Sequence, residues 1–105
     1  MKSHGDYKSH KLQKEEARKL LSRITREYPD NVLFSKHAVE ELAKDNLTVV
    51  SANNILRSTD AQILVEGEFE NGSYRYRLET MDVCLIIVFN SGQELVIVTA
   101  WRKRK

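Results

Sequence analysis

The chain of 105 residues has one cysteine, and one thiol cannot form an internal disulfide. This composition fits a reducing compartment. Cys84 stands inside the apolar run from Val83 to Phe89, which suits a small buried hydrophobe better than a reactive thiol. No run approaches the roughly 20 apolar residues that cross a bilayer. The first residues, Met1 to Lys19, are polar and have no apolar centre of a secretory leader. The expectation is a cytoplasmic protein with no membrane association. Four strong chemical signatures are also missing. There is no glycine-rich phosphate loop, Cys-x-x-Cys pair, His-Glu-x-x-His or Gly-x-Ser-x-Gly. Any catalysis must therefore come from a sparse set of side chains. Charge of one sign is scarce too, with a formal net charge of only +2. The excess is local: Arg102, Lys103, Arg104 and Lys105 end the chain, while carboxylates gather at Glu15–Glu16, Glu40–Glu41 and Glu66–Glu70.

What is present reads as one domain, residues 12–105, after a polar, aperiodic tail over residues 1–11. His4 and His10 fall on that tail and make a poor metal site, so no metal is expected. From Leu12 to Tyr28 the apolar residues Ala17, Leu20, Leu21, Ile24 and Tyr28 keep helical spacing, and Pro29-Asp-Asn ends the helix. Ser35 is a good cap for a second helix. Phe34 before it is placed to staple onto Val39, and Ala38, Val39, Leu42 and Ala43 form the expected inner face. Thr48 caps a short third helix carrying Val49, Ala52, Ile55 and Leu56.

After residue 60 the pattern becomes that of strands. Residues 61–69 form one, and Asn71-Gly72 is a two-residue hairpin signal. Residues 73–79 alternate, with Tyr74, Tyr76 and Leu78 opposite Arg75, Arg77 and Glu79. Residues 83–89 suit a central strand, Asn90-Ser-Gly a second turn, and residues 95–101 the last strand. The expected fold is α+β, with three helices on one face of a four-stranded antiparallel meander. An unpaired strand at residues 61–69 or 95–101 would allow a homodimer.

The candidate chemistry has two readings at each position. His37, in the opening turn of the second helix, is either a surface residue or a base able to take a proton from a ribose 2′-hydroxyl. Arg75 and Arg77 share a strand face about 7 Å apart. They suit either adjacent phosphates and a developing phosphorane, or ion pairs with Glu66, Glu68 or Glu79. Thr99 and Trp101 share a face of the last strand. Thr99 is a β-former or a buried hydroxyl in need of a partner, and Trp101 an edge aromatic or a stacking platform for a base. The run of Arg102, Lys103 and Arg104 is a solubilising tail or a phosphate contact.

Taken in order, these pieces resemble a known group. Phe34-Ser-Lys-His-Ala-Val-Glu-Glu-Leu resembles the Phe-Ser-x-His-Ala opening of small bacterial domains grouped with RelE-like, BrnT-like and MqsR-like toxins. The short helix at Thr48–Leu56, the strand Tyr74-Arg-Tyr-Arg and the final Leu95-Val-Ile-Val-Thr-Ala-Trp-Arg follow in the same order, so the likeness spans about residues 32–103. The resemblance implies a metal-independent endoribonuclease without a cofactor. Its sheet would cradle RNA, often ribosome-bound mRNA, and an antitoxin protein would neutralise it. It further implies His37 as an active-site histidine, Arg75 or Arg77 as the phosphate-stabilising cation, and Thr99 with Trp101 or Arg102 at the far end of the site. The chain departs from the pattern at Glu40, Glu41 and Lys44, where the group often has an arginine. The alternative is a catalytically silent RNA- or protein-binding module of the same fold.

Overall fold

The computed structural model describes residues 10–58, 61–63, 68–70 and 72–103. The expected tail lies almost wholly outside the described residues, as do Arg104 and Glu66. In chain order the elements are α1 (Lys14–Glu27), a 3₁₀ turn (Pro29–Asn31), β1 (Val32–Phe34), α2 (Lys36–Lys44), α3 (Val49–Arg57), β2 (Gln62–Ile63), β3 (Glu68–Glu70), β4 (Ser73–Glu79), β5 (Val83–Ser91) and β6 (Glu94–Arg102). The α+β class holds. The four-stranded antiparallel sheet does not: six strands form a mixed sheet in the order β1-β6-β5-β4-β2, with β3 also on β4. Two differences account for this. The run at 61–69 is split, β2 pairing with the end of β4 and β3 with its start. Val32–Phe34, of which only Phe34 is placed by the sequence pattern, ahead of the second helix, is a strand lying parallel to Leu95–Ile97. β6 is therefore paired on both sides over Leu95–Ile97, and beyond that stretch it pairs with β5 alone. The edges are β1 at one end and β2 with β3 at the other.

Local chemistry accounts for the helices. Gln13 and Glu16 close a capping box at the start of α1. Pro29, which lacks an N–H, ends it and opens the 3₁₀ turn. Ser35 caps α2 by accepting from the Ala38 N–H at 3.0 Å, and Thr48 caps α3 by accepting from Ser51 at 3.1 Å. Asn46 absorbs the bend between α2 and α3 at φ 61°, a conformation asparagine tolerates.

All three helices contribute to one core. Ala17, Leu20, Leu21 and Ile24 of α1, Ala38 and Leu42 of α2, and Ala52 and Leu56 of α3 meet Tyr76, Leu78, Leu85, Ile87, Phe89, Leu95 and Ile97 of the sheet. Burying each large side chain contributes roughly 1.5–3 kcal/mol. Helix α1, which lies outside the likeness described above, thus docks on the domain. The inner face of α2 is narrower than expected: Val39 and Ala43 are exposed, so Phe34 packs on the core without Val39. Glu70 lies opposite Ser73, the register a two-residue turn requires, and Gly72 has φ 85°, while Asn71 lies outside the described residues. The second turn sits one step later, at Gly92–Gln93 between Ser91 and Glu94. Among the described residues no helix is long and apolar enough to cross a membrane.

Candidate functional site

With the helices on one side, the other face of the sheet stays open, and strand alternation decides what stands on it. Tyr76 and Leu78 of β4 enter the core, so Ser73, Arg75, Arg77 and Glu79 take the open face. Register across the Asn71-Gly72 turn sets Glu68 opposite Arg75 and Glu70 opposite Ser73, which brings both carboxylates to the same face. On β5, Cys84, Ile86 and Val88 stand outward while Leu85, Ile87 and Phe89 stand inward.

β6 reaches the open face by a detour. Its Leu95 and Ile97 are buried in the core, and unbroken alternation would send Thr99 and Trp101 there too. Instead Ile87 pairs with Ile97 and Ile86 with Thr99, leaving Val98 as an extra residue. This bulge shifts the phase by one: Ala100 turns into the core, and Thr99 and Trp101 turn out. The start of α2 holds the bulge. The Ser35 N–H donates to the Ile97 carbonyl at 3.0 Å, and the Ser35 hydroxyl donates to the Val98 carbonyl at 3.1 Å.

The result is a groove of about 250 Å3 walled by Arg75, Arg77, Thr99, Trp101, Ile86 and the two carboxylates Glu68 and Glu70. A second hollow of about 270 Å3 adjoins it, with Arg75 as the shared wall and Val88, Val96 and Val98 as its apolar side. Both are smaller than the roughly 300–1,000 Å3 usual for enclosed ligand pockets, so the face is a shallow cradle. The Arg77 guanidinium lies over the Trp101 ring, 5.9 Å from its centroid, and 3.8 Å from Glu79. Glu79 in turn holds Lys103 at 2.8 Å. Beneath this group lies Cys84, cross-strand neighbour to both Glu79 and Trp101. It is 1% exposed, as a small buried hydrophobe should be. Burial pushes its thiol up to about 11. Glu79 pushes the same way, and Arg77 and Lys103 oppose it. The Arg75 Nε is buried without a hydrogen-bond partner among the described residues.

Four of the expected site residues, Arg75, Arg77, Thr99 and Trp101, therefore meet in one groove. The others do not join them. His37 is exposed in the first turn of α2 and is not among the residues lining the groove. The Arg102 N–H donates to the Asp45 carboxylate at 2.8 Å, and its guanidinium donates to the Asp45 carbonyl, so Arg102 fastens β6 to the end of α2. Lys103 is held by Glu79 and by the Thr80 carbonyl. Arg104 lies outside the described residues. Glu68, expected only as an ion-pair partner, and Glu70, part of the acidic run with no role of its own, are both groove walls. The signal for them was the two-residue turn, because counting back from Asn71 sets Glu68 against Arg75. Tyr74 and Tyr76 go to the core side, and the Tyr76 hydroxyl accepts from the Leu12 N–H at 2.7 Å. No protein-family model matches the chain, and no curated protein or solved structure does either.

Proposed function

We propose that the open sheet face binds RNA and that the domain is a metal-independent endoribonuclease of the toxin type, active in the cytoplasm and neutralised by an antitoxin protein. The observation that carries this reading is the convergence of Arg75, Arg77, Thr99 and Trp101 with Glu68 and Glu70 in one groove. Guanidinium pairs hold phosphates and stabilise the extra negative charge of a phosphorane. An indole beside them offers a face on which a base stacks. A carboxylate within the groove is a suitable general base. In the reaction the ribose 2′-oxygen attacks the adjacent phosphorus in line and gives up its proton to Glu68, Glu70 or His37. The bond from phosphorus to the 5′-oxygen breaks, and the 5′-oxygen takes a proton from water, which the protonated base then restores. The products are a 2′,3′-cyclic phosphate and a 5′-hydroxyl. Arg75 and Arg77 stabilise the charge on the non-bridging oxygens, and the step requires no metal or cofactor.

A second reading, a silent module that binds RNA or protein, draws on the same groove. Glu68 and Glu70 offset the two arginines, and His37 is not among the groove's lining residues. One experiment separates the readings. Purified protein is incubated with RNA and, in parallel, with translating ribosomes, in the presence of a chelator, and the RNA ends are mapped. The nuclease predicts cyclic-phosphate ends that disappear with 2′-deoxy substrate and fall by roughly 100-fold or more in Arg75→Ala/Arg77→Ala, on the scale of losing an electrostatic stabiliser. Comparing Glu68→Gln, Glu70→Gln and His37→Ala then identifies the base. RNA that is retained but stays intact under all conditions overturns the nuclease and leaves the binding module.

A further inference from the structure

The opposite side of the molecule has a cleft that the sheet-face reading does not use. It lies between α1 and α3 and has a volume of about 450 Å3. On α1 its wall is the stripe Arg18, Ser22, Thr25 and Arg26, residues that helical spacing sets on one face. On α3 it is Arg57, with Leu56 forming part of the floor. Three guanidinium groups thus border one cleft, and no carboxylate lines it among the described residues, in contrast with the sheet groove and its Glu68 and Glu70.

We infer that this cleft is an anion site in its own right, in which Arg18, Arg26 and Arg57 hold a phosphate group. Arg18 is prepared for the role. Its Nη2 donates to the Ser58 carbonyl at 2.9 Å, which fixes the guanidinium, while its Nη1 is buried with no partner among the described residues. A buried donor of this kind is unfavourable until an acceptor fills it. Arg26 is exposed and lies 3.6 Å from the Glu27 carboxylate, and Arg57 is exposed on the last turn of α3. Both are therefore able to turn toward a ligand at little cost. Planar guanidinium forks match phosphate oxygens two at a time, which a lysine in the same place does not. The negative ends of both helix dipoles lie near Arg26 and Arg57, so the site depends on all three cations rather than on the helices. The phosphate belongs either to a free small anion or to a nucleic-acid backbone, and the same chemistry recognises both.

The test is calorimetric titration with sodium pyrophosphate at ionic strength matched with sodium chloride, together with thermal unfolding. Saturable binding and a raised Tm are expected for the wild type. The Arg26→Ala/Arg57→Ala variant should bind at least ~10-fold more weakly, the scale of losing charge-assisted hydrogen bonds. Both side chains are exposed, and circular dichroism checks that the variant folds. Arg26→Lys/Arg57→Lys should fall between the two, and Arg75→Ala/Arg77→Ala should keep the saturable phase that Arg26→Ala/Arg57→Ala loses, whatever the sheet groove adds to it. That last variant keeps this result separate from the fate of the sheet-face reading. A second titration asks whether pyrophosphate displaces a labelled oligoribonucleotide: displacement identifies backbone phosphate as the source, and no displacement a free anion. The inference fails if binding does not saturate, if the double alanine variant at Arg26 and Arg57 binds normally, or if binding is lost only when Arg75 and Arg77 are removed.

Discussion

At the scale of single residues, the group around Cys84 illustrates how a polar open face closes over a strand that is apolar throughout. β5 has helices on one side only, yet Cys84 and Val88 on its other side are buried. Cys84 lies between Glu79 and Trp101 in the ladder, and Arg77 and Lys103 gather over the same spot. Long charged side chains cover apolar surface with their stems and keep their charges wet. The consequence is a thiol that resists ionisation. Its acidity is shifted from 9.0 to about 11, so native protein at pH 8 should react with iodoacetamide far more slowly than unfolded protein. Equal rates in the two states would mean that the cover is open. The same shift sets a pH window. A group whose folded pKa is raised stabilises the fold fully below its unfolded value and loses that contribution as pH climbs through the folded one. Stability should therefore hold up to about pH 9 and decline toward 11, with buried Tyr76, whose hydroxyl is also shifted upward by burial, adding to the decline. Urea unfolding midpoints across that range measure it, and Cys84→Ala should give a shallower decline than wild type.

Among the elements, the bulge at Val98 matters most for the site, because it turns Thr99 and Trp101 out of the core. It also marks the limit of what the chain discloses. The helices were legible because seventeen residues of 3.6-fold spacing and the caps Ser35 and Thr48 act locally. The face of Arg75 and Arg77 was legible because β4 alternates without interruption, and the Asn71-Gly72 turn sets its register to β3. β1 was not. Three residues are too few to show a period, and the partner of Val32–Phe34 lies some sixty residues away, at Leu95–Ile97. Nor was the bulge, since Leu95-Val-Ile-Val-Thr-Ala-Trp reads as plain alternation. The absence of His37 from the groove lining has the same origin: it depends on how α2 crosses β6, which no local pattern encodes. The bulge and the α2 cap meet at Ser35, which accepts from Ala38 and donates to Val98. Ser35→Ala should cost about 1 kcal/mol as a cap and somewhat more for the lost bulge contact. Thr48→Ala, which removes a cap alone, is the comparison. The chain has a single tryptophan, Trp101, so its fluorescence reports on the groove directly. The emission should shift in Ser35→Ala and stay unchanged in Thr48→Ala. An unshifted spectrum in both would show that the bulge stands without the serine.

Across the whole molecule, a formal net charge of +2 is too small to draw a polyanion by long-range attraction alone. Any RNA affinity must come from local sets of cations, and the described residues line two clefts with them. The sheet groove contributes Arg75 and Arg77, partly offset by Glu68 and Glu70. The α1–α3 cleft contributes Arg18, Arg26 and Arg57 on the other side of the domain. Salt dependence counts how many of these cations an RNA engages, because each neutralised phosphate on a single strand steepens log K against log salt by about 0.7. Contact through Arg75 and Arg77 alone gives a slope near −1.4, whereas a strand that wraps from the groove to the cleft engages all five arginines and gives about −3.5. Measured by anisotropy with a labelled oligoribonucleotide from low to physiological salt, a shallow slope unchanged in Arg26→Ala/Arg57→Ala confines RNA to the sheet face. A steep slope that flattens in that variant makes the two basic sets one continuous RNA path. A slope near zero removes phosphate contact from both surfaces, and with it the case for RNA as the partner of this fold.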